Sequence, residues 1–401
     1  MAYNRKQRLN DNIKAIETAF ILDREQRTPT ARERLLLERY CGFGGLKCIL
    51  NPARELADAV HWAKSDLELF APTVELHRLI RENSKNESEY KQLMDSLKQS
   101  VLTAFYTPSA VTEALTDVLK EHQIIPEKVL EPSAGIGAFV DSVLDNNPKA
   151  DIMAFEKDLL TGKILRHLHP EQKVRIEGFE KIEKPFNDYF DLAISNIPFG
   201  DVAVFDPSYT AMKGMRALVT RRIHNYFFVK ALDTVRDGGL VAFITSQGVL
   251  NAKNNSAARF MMLYHADLVS AIRLPNNLFT ENANTEVGSD LIILQKNSQK
   301  ESLRGDDNLL DTVYNDENRI PTNNYFLEHP ERIIHTTAKL DTDPFGKPAM
   351  IYTHEDGVEG IAEDLRKMLH EDFKKNLNLN RYLGIEETKA EEVKEVEETE
   401  K

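Results

Sequence analysis

Residues 129–140 read VLEPSAGIGAFV, and this stretch indicates the type of fold. A short apolar run ending in Glu131 is followed by a turn of small residues around Gly135 and Gly137, and then by the start of a helix. Glycines in such a turn let a ligand approach the backbone without meeting Cβ atoms. Val140 stands where a dinucleotide-binding turn has its third glycine, so an ordinary tight turn between strand and helix stays an alternative.

Six more short apolar runs follow this stretch, and most of them are separated by segments with helical spacing. The seven runs are KVLEPSA, DIMAFEKD, VRIEGF, DLAISNIPF, GLVAFITS, LVSAIRLP and DLIILQK. Such alternation predicts an α/β fold with a largely parallel sheet. The loop NNLFTENANTEVGS between the last two runs is too short for a helical crossover, so we expect that pair to be antiparallel.

The composition predicts a folded protein without a membrane span. The 401 residues are 41% hydrophobic, no stretch reaches about 18 consecutive apolar residues, and the N-terminus has no secretory h-region, so we expect a cytoplasmic location. Cys41 and Cys48 lack a second Cys or His pair at metal-site spacing, and we expect neither a metal nor a disulfide. The net charge of −13 argues against a protein that binds nucleic acid over its whole surface.

Changes in composition predict four regions along the chain. Helical spacing in ARERLLLERY and ESEYKQLMDSLKQSVLTAF predicts a helical N-terminal region over 1–100. The apolar runs place a catalytic domain at 101–298, and the mixed, turn-rich sequence at 299–385 is interpreted as a C-terminal appendage. Residues 386–401 hold eight Glu and three Lys and are expected to form an acidic, disordered tail.

Three features near the first two runs suggest a nucleoside ligand that carries a positive charge. The carboxylate of Glu131 would repel a pyrophosphate and favour a ligand with a positive amine, such as S-adenosylmethionine. Glu156 ends the second run, where an acidic residue accepts ribose hydroxyls. In AFYTPSAVTEAL we expect Thr107 to be an N-cap and Pro108 the first helical residue, which leaves a helix N-terminus free to bind a carboxylate.

Residues 193–200, AISNIPFG, end another apolar run on polar and aromatic side chains. A strand that ends in Asn196, Ile197, Pro198 and Phe199 can hold a flat, nitrogen-bearing substrate. It can also be an ordinary turn.

The order of these motifs resembles that of a known family. FYTP, LEPSAGIGAF, AFEKD, EGF and SNIPFG occur in the order of the gamma class of N6-adenine DNA methyltransferases, whose signatures are Y-T-P, D/E-P-x-x-G-x-G and N/D-P-P-Y/F. The segments GFGGL, HNYFFVKALDTVRDGGLVAFITSQGVLN and IRLPNNLF are similar to the methylase region of large DNA methylase and helicase-like proteins of conjugative elements and phages. The resemblance covers about residues 30–300.

The resemblance implies a Rossmann-like, seven-stranded S-adenosylmethionine-dependent methyltransferase sheet with a helical N-terminal extension. It implies that the side-chain oxygen of Asn196 and the main-chain oxygen of Ile197 accept the two N–H bonds of an adenine amine, while Phe199 stacks on the extruded base. The implied catalytic residues are Asn196, Ile197, Pro198 and Phe199. The implied cofactor-binding residues are Tyr106, Thr107, Pro108, Glu131, Pro132, Ser133, Ala134, Gly135, Gly137, Glu156, Lys157 and Phe179.

Two positions depart from the family pattern. Ile197 stands where most relatives have a first proline, which adds an N–H that needs a partner, although Pro198 still restricts Ile197 to extended conformations. Phe179 stands where the family often has an acid that accepts from the cofactor's adenine amine. Either Phe179 stacks on that ring or Glu180 replaces the acid.

DNA is the expected substrate, and a basic segment after the acceptor motif is a candidate for phosphate contact. Its members are Lys213, Arg216, Arg221 and Arg222. A solvated helix face explains such a run equally well. A separate target-recognition or helicase partner remains open, because no separate recognition domain is evident.

The resulting hypothesis is an S-adenosylmethionine-dependent, site-specific methyltransferase for the N6 amine of a flipped adenine in DNA. One alternative within enzymes is methylation of a protein glutamine or an RNA base. Another is a catalytically weak or inactive DNA- or partner-binding homologue from a mobile element.

Overall fold

A computed structural model describes residues 4–103, 106–212, 214–280, 286–303, 307–314, 319–343 and 346–385. Within these residues the chain forms a seven-stranded sheet, as the apolar runs predicted. Its strands are β1 (Lys128–Glu131), β2 (Asp151–Phe155), β3 (Lys173–Arg175), β4 (Phe190–Asn196), β5 (Val235–Ser246), β6 (Ala266–Leu274) and β7 (Ser289–Lys296). The predicted α/β class with a Rossmann-like sheet is confirmed.

The strand order β3-β2-β1-β4-β5-β7-β6 places a switch in direction between β1 and β4. From β1 the chain winds outward through β2 and β3, and it then returns to the other side of β1 with β4. Strand β7 lies between β5 and β6 and is antiparallel to both, which confirms the predicted antiparallel last pair. In sheets of this type, ligands bind beyond the carboxyl ends of the strands at the switch point.

The strands are apolar on both faces because helices cover the sheet on both sides. Along β4, Leu192 and Ile194 pack in one core cluster, while Ala193 between them packs in the other. This alternation follows from the two-residue period of a strand. The two clusters are the inner layers between the sheet and its helices.

The helices begin and end as follows. They are α1 (Arg5–Glu25), α2 (Ala31–Leu37), α3 (Phe70–Glu82), α4 (Glu87–Thr103), α5 (Ser109–Glu121), α6 (Ala138–Asn146), α7 (Leu159–Leu168), α8 (Pro207–Thr210), α9 (Met215–Val219), α10 (Ile223–Thr234), α11 (Gly248–Asn251), α12 (Ser256–His265), α13 (Asn324–Glu328), α14 (Gly357–Asn376) and α15 (Leu379–Leu383). Four short strands are β8 (Thr312–Tyr314), β9 (Pro321–Asn323), β10 (Thr337–Thr342) and β11 (Pro348–Thr353).

The N-terminal helices pack against α7 of the sheet domain. Leu9 of α1 and Leu97 of α4 share a core cluster with Leu160 and Ile164 of α7. The carboxylate of Asp23 also forms ion pairs with side chains of α7. The helical spacing predicted both α2 and α4, and both helices are present.

The C-terminal part contributes to the core of the sheet. Leu365 and Leu369 of α14 lie in the same cluster as Val111 and Leu115 of α5. Ser270 of β6 also donates to the carboxylate of Asp372 of α14, over 2.7 Å. Helix α14, which belongs to the region 299–385 expected to be an appendage, thus covers one face of the sheet. The domain limits stay a prediction, and the tail at 386–401 lies outside the described residues.

Candidate active site

A cleft of about 950 Å³ opens at the switch point of the sheet, beyond the carboxyl ends of β1, β2 and β4. It is lined by the turn after β1, the end of β2, residues 176–181, the end of β4, the loop 202–205 and one face of α4. All four predicted catalytic residues line this cleft. So do ten of the twelve predicted cofactor-binding residues, all except Pro108 and Gly137.

The turn after β1 needs glycine at two positions. Gly135 and Gly137 have φ of +57° and +92°, in the left-handed region. A Cβ on Gly135 would stand 2.9 Å from the ring of Tyr106, and one on Gly137 would stand 2.5 Å from Nε2 of His169. Gly135 therefore keeps the cleft open beside Tyr106, while Gly137 lets α6 begin close to His169 without lining the cleft.

Glu131 places a buried carboxylate at the bottom of the cleft. Its side chain is 2% exposed, and its Oε2 atom has no hydrogen-bond partner among the described residues. Burial raises the pKa of Glu131 well above its usual range, and the charges of Asp141 and Glu156 raise it further. A positive group in the cleft would offset the cost of burying a negative charge at Glu131, so the carboxylate suits a cationic ligand.

Glu156 connects the end of β2 to the glycine turn. Its two side-chain oxygens accept hydrogen bonds from the main-chain N–H groups of Gly135, at 2.8 Å, and of Asp158, at 2.7 Å. Burial raises the pKa of Glu156 to about 8, helped by the charge of Asp158 and opposed by those hydrogen bonds. Each carboxylate oxygen has a second lone pair, so Glu156 can still accept from a hydroxyl.

The start of α5 differs from the prediction. Pro108 has an extended backbone with ψ of 141°, so Pro108 is the N-cap and the helix begins at Ser109. The carbonyl of Pro108 accepts from the N–H groups of Val111 and Thr112. Thr107 is therefore not the N-cap, and Pro108 supports the helix start instead of lining the cleft. Tyr106 and Thr107 do line it.

Phe179 does not present its ring for stacking, which corrects one of the two expectations for this position. The side chain is 1% exposed and packs among the rings of Phe155, Tyr226 and Phe227, with centroids 5.3 to 6.4 Å away. Its apolar surroundings hold it in the wall of the cleft. Glu180, half-buried and lining the same wall, is the remaining candidate for the missing acid.

The acceptor motif begins at the last residue of β4, Asn196, whose strand partner in β5 is Ile244. The N–H group of Ile197 donates to the carbonyl of Ile244 over 3.0 Å. The extra donor that results from the missing proline is thus satisfied by one more step of the β4–β5 ladder. This bond orients the backbone on either side of Ile197, whose side chain is buried.

Phe199 lies at the far end of the motif. Its ring packs edge to face against Phe279, with ring centroids 6.3 Å apart and an interplanar angle of 74°. Such an edge-to-face contact is one of the preferred arrangements of two aromatic rings. The end of β4 therefore combines carbonyl acceptors with an aromatic surface.

Comparison with known proteins identifies the family. Residues 88–391 match the model of the N-6 DNA methylase family. The chain belongs to this family. The resemblance drawn from the motifs is thereby confirmed, and it extends through α14, beyond the part that the motifs cover.

Two curated proteins are similar to this chain over part of its length. Defense against restriction protein B of Escherichia phage P1 is 29% identical over 201 residues, which are 49% of this chain and 8% of that protein. The type II methyltransferase M.XamI of Xanthomonas campestris pv. amaranthicola is 25% identical over 173 residues, 40% of this chain and 33% of that protein. The matches thus span a third or less of the length of these relatives.

Solved structures also resemble the methylase. A type I restriction-modification system methyltransferase subunit from Streptococcus thermophilus aligns with a TM-score of 0.41 and 12% identity, covering 93% of this chain and 94% of that chain.

The basic segment predicted to contact phosphates has two arginines that pair within the protein. Arg216 forms a bidentate pair with Asp233, with distances of 2.6 and 2.9 Å. Arg222 donates to Asn255 and pairs with Asp201. Both arginines are engaged within the protein, and their contact with DNA stays a prediction. Lys213 lies outside the described residues, and Arg221 remains as an exposed candidate.

One wall of the cleft was not foreseen from the sequence. Helix α4 of the methylase lines it with the polar side chains Gln92, Asp95, Ser96, Gln99 and Ser100. Ser96 donates to Asp158 over 2.6 Å and accepts from the N–H of Leu160, which fixes α4 to the start of α7. Their spacing of i, i+3, i+4, i+7 and i+8 places these polar residues on one helix face. A polar helix face usually contacts solvent, so the spacing alone does not predict a cleft wall.

Among the described residues, none of the helices combines the length and the apolar character that a membrane span needs. The same residues also contain no group of three or more His, Cys, Asp or Glu side chains arranged to hold a metal ion.

Proposed function

We propose that this N-6 DNA methylase transfers a methyl group from S-adenosylmethionine to the N6 amine of an adenine extruded from DNA. The observation that carries the proposal is that Glu131 and the glycine turn line the same cleft as Asn196 and Phe199. The proposed sites for a cationic nucleoside and for a planar amine would therefore adjoin at the switch point.

The cofactor half of the cleft fits S-adenosylmethionine on two structural grounds. The buried, unpartnered oxygen of Glu131 can accept from an ammonium group, and the missing Cβ of Gly135 leaves room for the ligand beside Tyr106. Glu156 would accept from the ribose hydroxyls. When bound, the cofactor supplies an electrophilic methyl group on a positively charged sulfur.

The acceptor half would hold the amine through two oxygen atoms. The side-chain oxygen of Asn196 and the carbonyl of Ile197 would each accept one N–H bond, which directs the nitrogen lone pair at the methyl group. Because the N–H of Ile197 is bound to Ile244 and Pro198 follows, the backbone that carries this carbonyl is positioned in advance. Phe199 would stack on the base.

The decisive experiment measures methyl transfer with Asn196→Ala. The full chain is incubated with labelled S-adenosylmethionine and unmethylated genomic DNA, and modified nucleosides are separated by mass spectrometry. We expect N6-methyladenine from the wild type and a loss of at least about 100-fold in Asn196→Ala, as for other groups that stabilise a transition state. Asn187→Ala, an exposed amide outside the cleft, is the matched control.

Other outcomes distinguish the alternatives. Label in cytosine would contradict adenine specificity, and label only in RNA or a protein glutamine would contradict DNA as the substrate. Cofactor binding without transfer to any of these would indicate a binding protein that has lost turnover. Calorimetric titration of Asn196→Ala with S-adenosylmethionine should give a Kd within twofold of wild type.

A further inference from the structure

The loop that follows the acceptor motif presents an aromatic side chain to solvent at the cleft. Phe205 is 78% exposed and Val202 is 60% exposed, and both line the same cleft as Asn196 and Phe199. Large exposed apolar side chains that line a cleft are typical of a surface that binds a ligand.

The exposure of Phe205 does not result from a loosely held backbone. The N–H of Val204, on one side, donates to the carbonyl of Thr220 over 2.8 Å. Asp206, on the other side, is 3% exposed, and its carboxylate accepts from Tyr226 over 2.7 Å and from Lys230 over 3.2 Å. Phe205 is therefore held outward between two anchored residues.

The charges around Phe205 favour contact with a base over contact with a phosphate. Asp201, four residues before it, is 74% exposed, and its partner Arg222 is held by Asn255. Arg216, further along the segment, is paired with Asp233. An uncharged ring on a segment whose Arg216 and Arg222 are already paired suits the neutral face of a nucleobase, on which aromatic side chains stack with any base sequence.

We propose that Phe205 stacks on the base adjacent to the extruded adenine, at the mouth of the acceptor site. This inference rests on the proposed function for the identity of the substrate. Phe199, packed against Phe279 inside the cleft, faces the extruded base, whereas Phe205 at the mouth reaches the strand that stays outside. Apolar side chains that insert beside a displaced base stabilise the opened stack.

Stacking by Phe205 can be measured without methyl transfer. Trp62 is the single tryptophan of the chain, and it is 6% exposed, so its emission is shielded. In Phe205→Trp we expect single-stranded (dA)12, which needs no extrusion, to quench the added emission by at least half. Leu218→Trp, at an exposed position of the same segment that does not line the cleft, should be quenched less than one-fifth as much. Equal quenching of both variants, or none, overturns the proposal.

A second measurement separates this proposal from the proposed function. Phe205→Ala should lower kcat/KM for duplex DNA about tenfold and leave the Kd for S-adenosylmethionine unchanged, whereas Phe205→Tyr should restore transfer. Normal transfer by Phe205→Ala overturns the stacking role even if the enzyme methylates adenine. Quenching of Phe205→Trp by (dA)12 in a protein without methyl transfer supports stacking while the proposed function fails. If Phe205 belongs to a surface for a protein partner, (dA)12 should not quench Phe205→Trp, and this result would also overturn the stacking proposal.

Discussion

The two halves of the cleft are built in opposite ways. In the cofactor half, Glu131 is buried with an unpartnered oxygen, and burial raises the pKa of both Glu131 and Glu156. In the acceptor half, the motif continues a strand ladder, and the donor that Ile197 adds is bound to Ile244.

This difference indicates which half gains stability from its ligand. Buried carboxylates with raised pKa values destabilise the folded protein at neutral pH, and a cationic ligand removes that penalty. In the acceptor half, the main-chain N–H of Ile197 has its partner before a substrate arrives. We therefore expect changes in the cofactor half to alter stability and ligand affinity together, and changes in the acceptor half to alter mainly transfer.

The largest effect is expected from Gly137→Ala, which would disrupt the cofactor half. The new Cβ would add a clash with His169 to the strain of a φ of +92°. We expect a loss of about 3 kcal/mol in the free energy of unfolding, measured by urea denaturation. Gly214→Ala is the matched control, because its φ is +91° and no atom of the described residues lies within 4 Å of the added Cβ. Equal losses in the two variants would contradict the role of the clash.

The stability of the ligand-free protein should fall as the pH rises above 6.5. The folded-state pKa of Glu156, about 8, exceeds its usual 4.5, so the stability it contributes is complete below pH 4.5 and is lost as the pH rises through 8. The pKa values of His169 and His224, lowered to about 4 by burial, affect stability only below 6.5. Between pH 6.5 and 8 we expect Glu156 to lower the stability by up to roughly 2 kcal/mol, since one pKa unit corresponds to about 1.4 kcal/mol. Glu131, whose pKa is also raised, acts in the same direction.

Thermal unfolding at these two pH values, with and without S-adenosylmethionine, checks this expectation. The cofactor should raise Tm more at pH 8 than at pH 6.5. A Tm of the ligand-free protein that is flat or rises over this interval would show that the carboxylates of the cofactor half are not strained.

A smaller effect is expected from Glu131→Gln, which keeps the shape of the side chain and removes its charge. We expect the Kd for S-adenosylmethionine to rise about tenfold, corresponding to about 1.4 kcal/mol, in a calorimetric titration. Glu127→Gln, an exposed residue just before the same strand, is the control and should bind normally. S-adenosylhomocysteine sharpens the comparison: equal weakening identifies the ammonium group as the partner of Glu131, and weakening of S-adenosylmethionine alone identifies the sulfonium.

The smallest effect on transfer is expected from Ile197→Pro, which restores the family pattern in the acceptor half. The variant loses the hydrogen bond to Ile244, so we expect a decrease of about 1 kcal/mol in the free energy of unfolding. Methyl transfer should stay within threefold of wild type, because Pro198 still directs the backbone. Ile197→Val, which keeps the N–H group, should match the wild type in both assays. A large loss of methyl transfer in Ile197→Pro would show that isoleucine and proline at position 197 do not place the main-chain carbonyl in the same way.

Much of the sheet could be predicted because its signals are local. The seven apolar runs, the glycine turn after β1 and the short loop before β7 each act over a few residues. The cofactor motif and the acceptor motif are each local as well. One follows β1 and the other ends β4, and these two strands are neighbours in the sheet. Parallel strands at a switch point then place those ends in one cleft.

The features that the sequence did not reveal are contacts between residues distant in sequence. The pairing of Arg216 with Asp233, the burial of Phe179 among three rings and the line of α4 side chains along the cleft depend on how helices pack. No pattern within a segment distinguishes a solvated arginine from a paired one. The start of α5 was misplaced by a single position, which reflects how small the local differences at helix ends are.

By itself, the sequence determined the α/β class, the family and the two motifs that meet at the switch point, because periodicity, glycine and proline act on their own neighbourhood. Only the tertiary structure decided which polar groups are buried without partners, which arginines are already bound and which aromatic side chain points outward. Burial and pairing depend on every segment that packs around a residue, and the chain brings those segments together only when it folds.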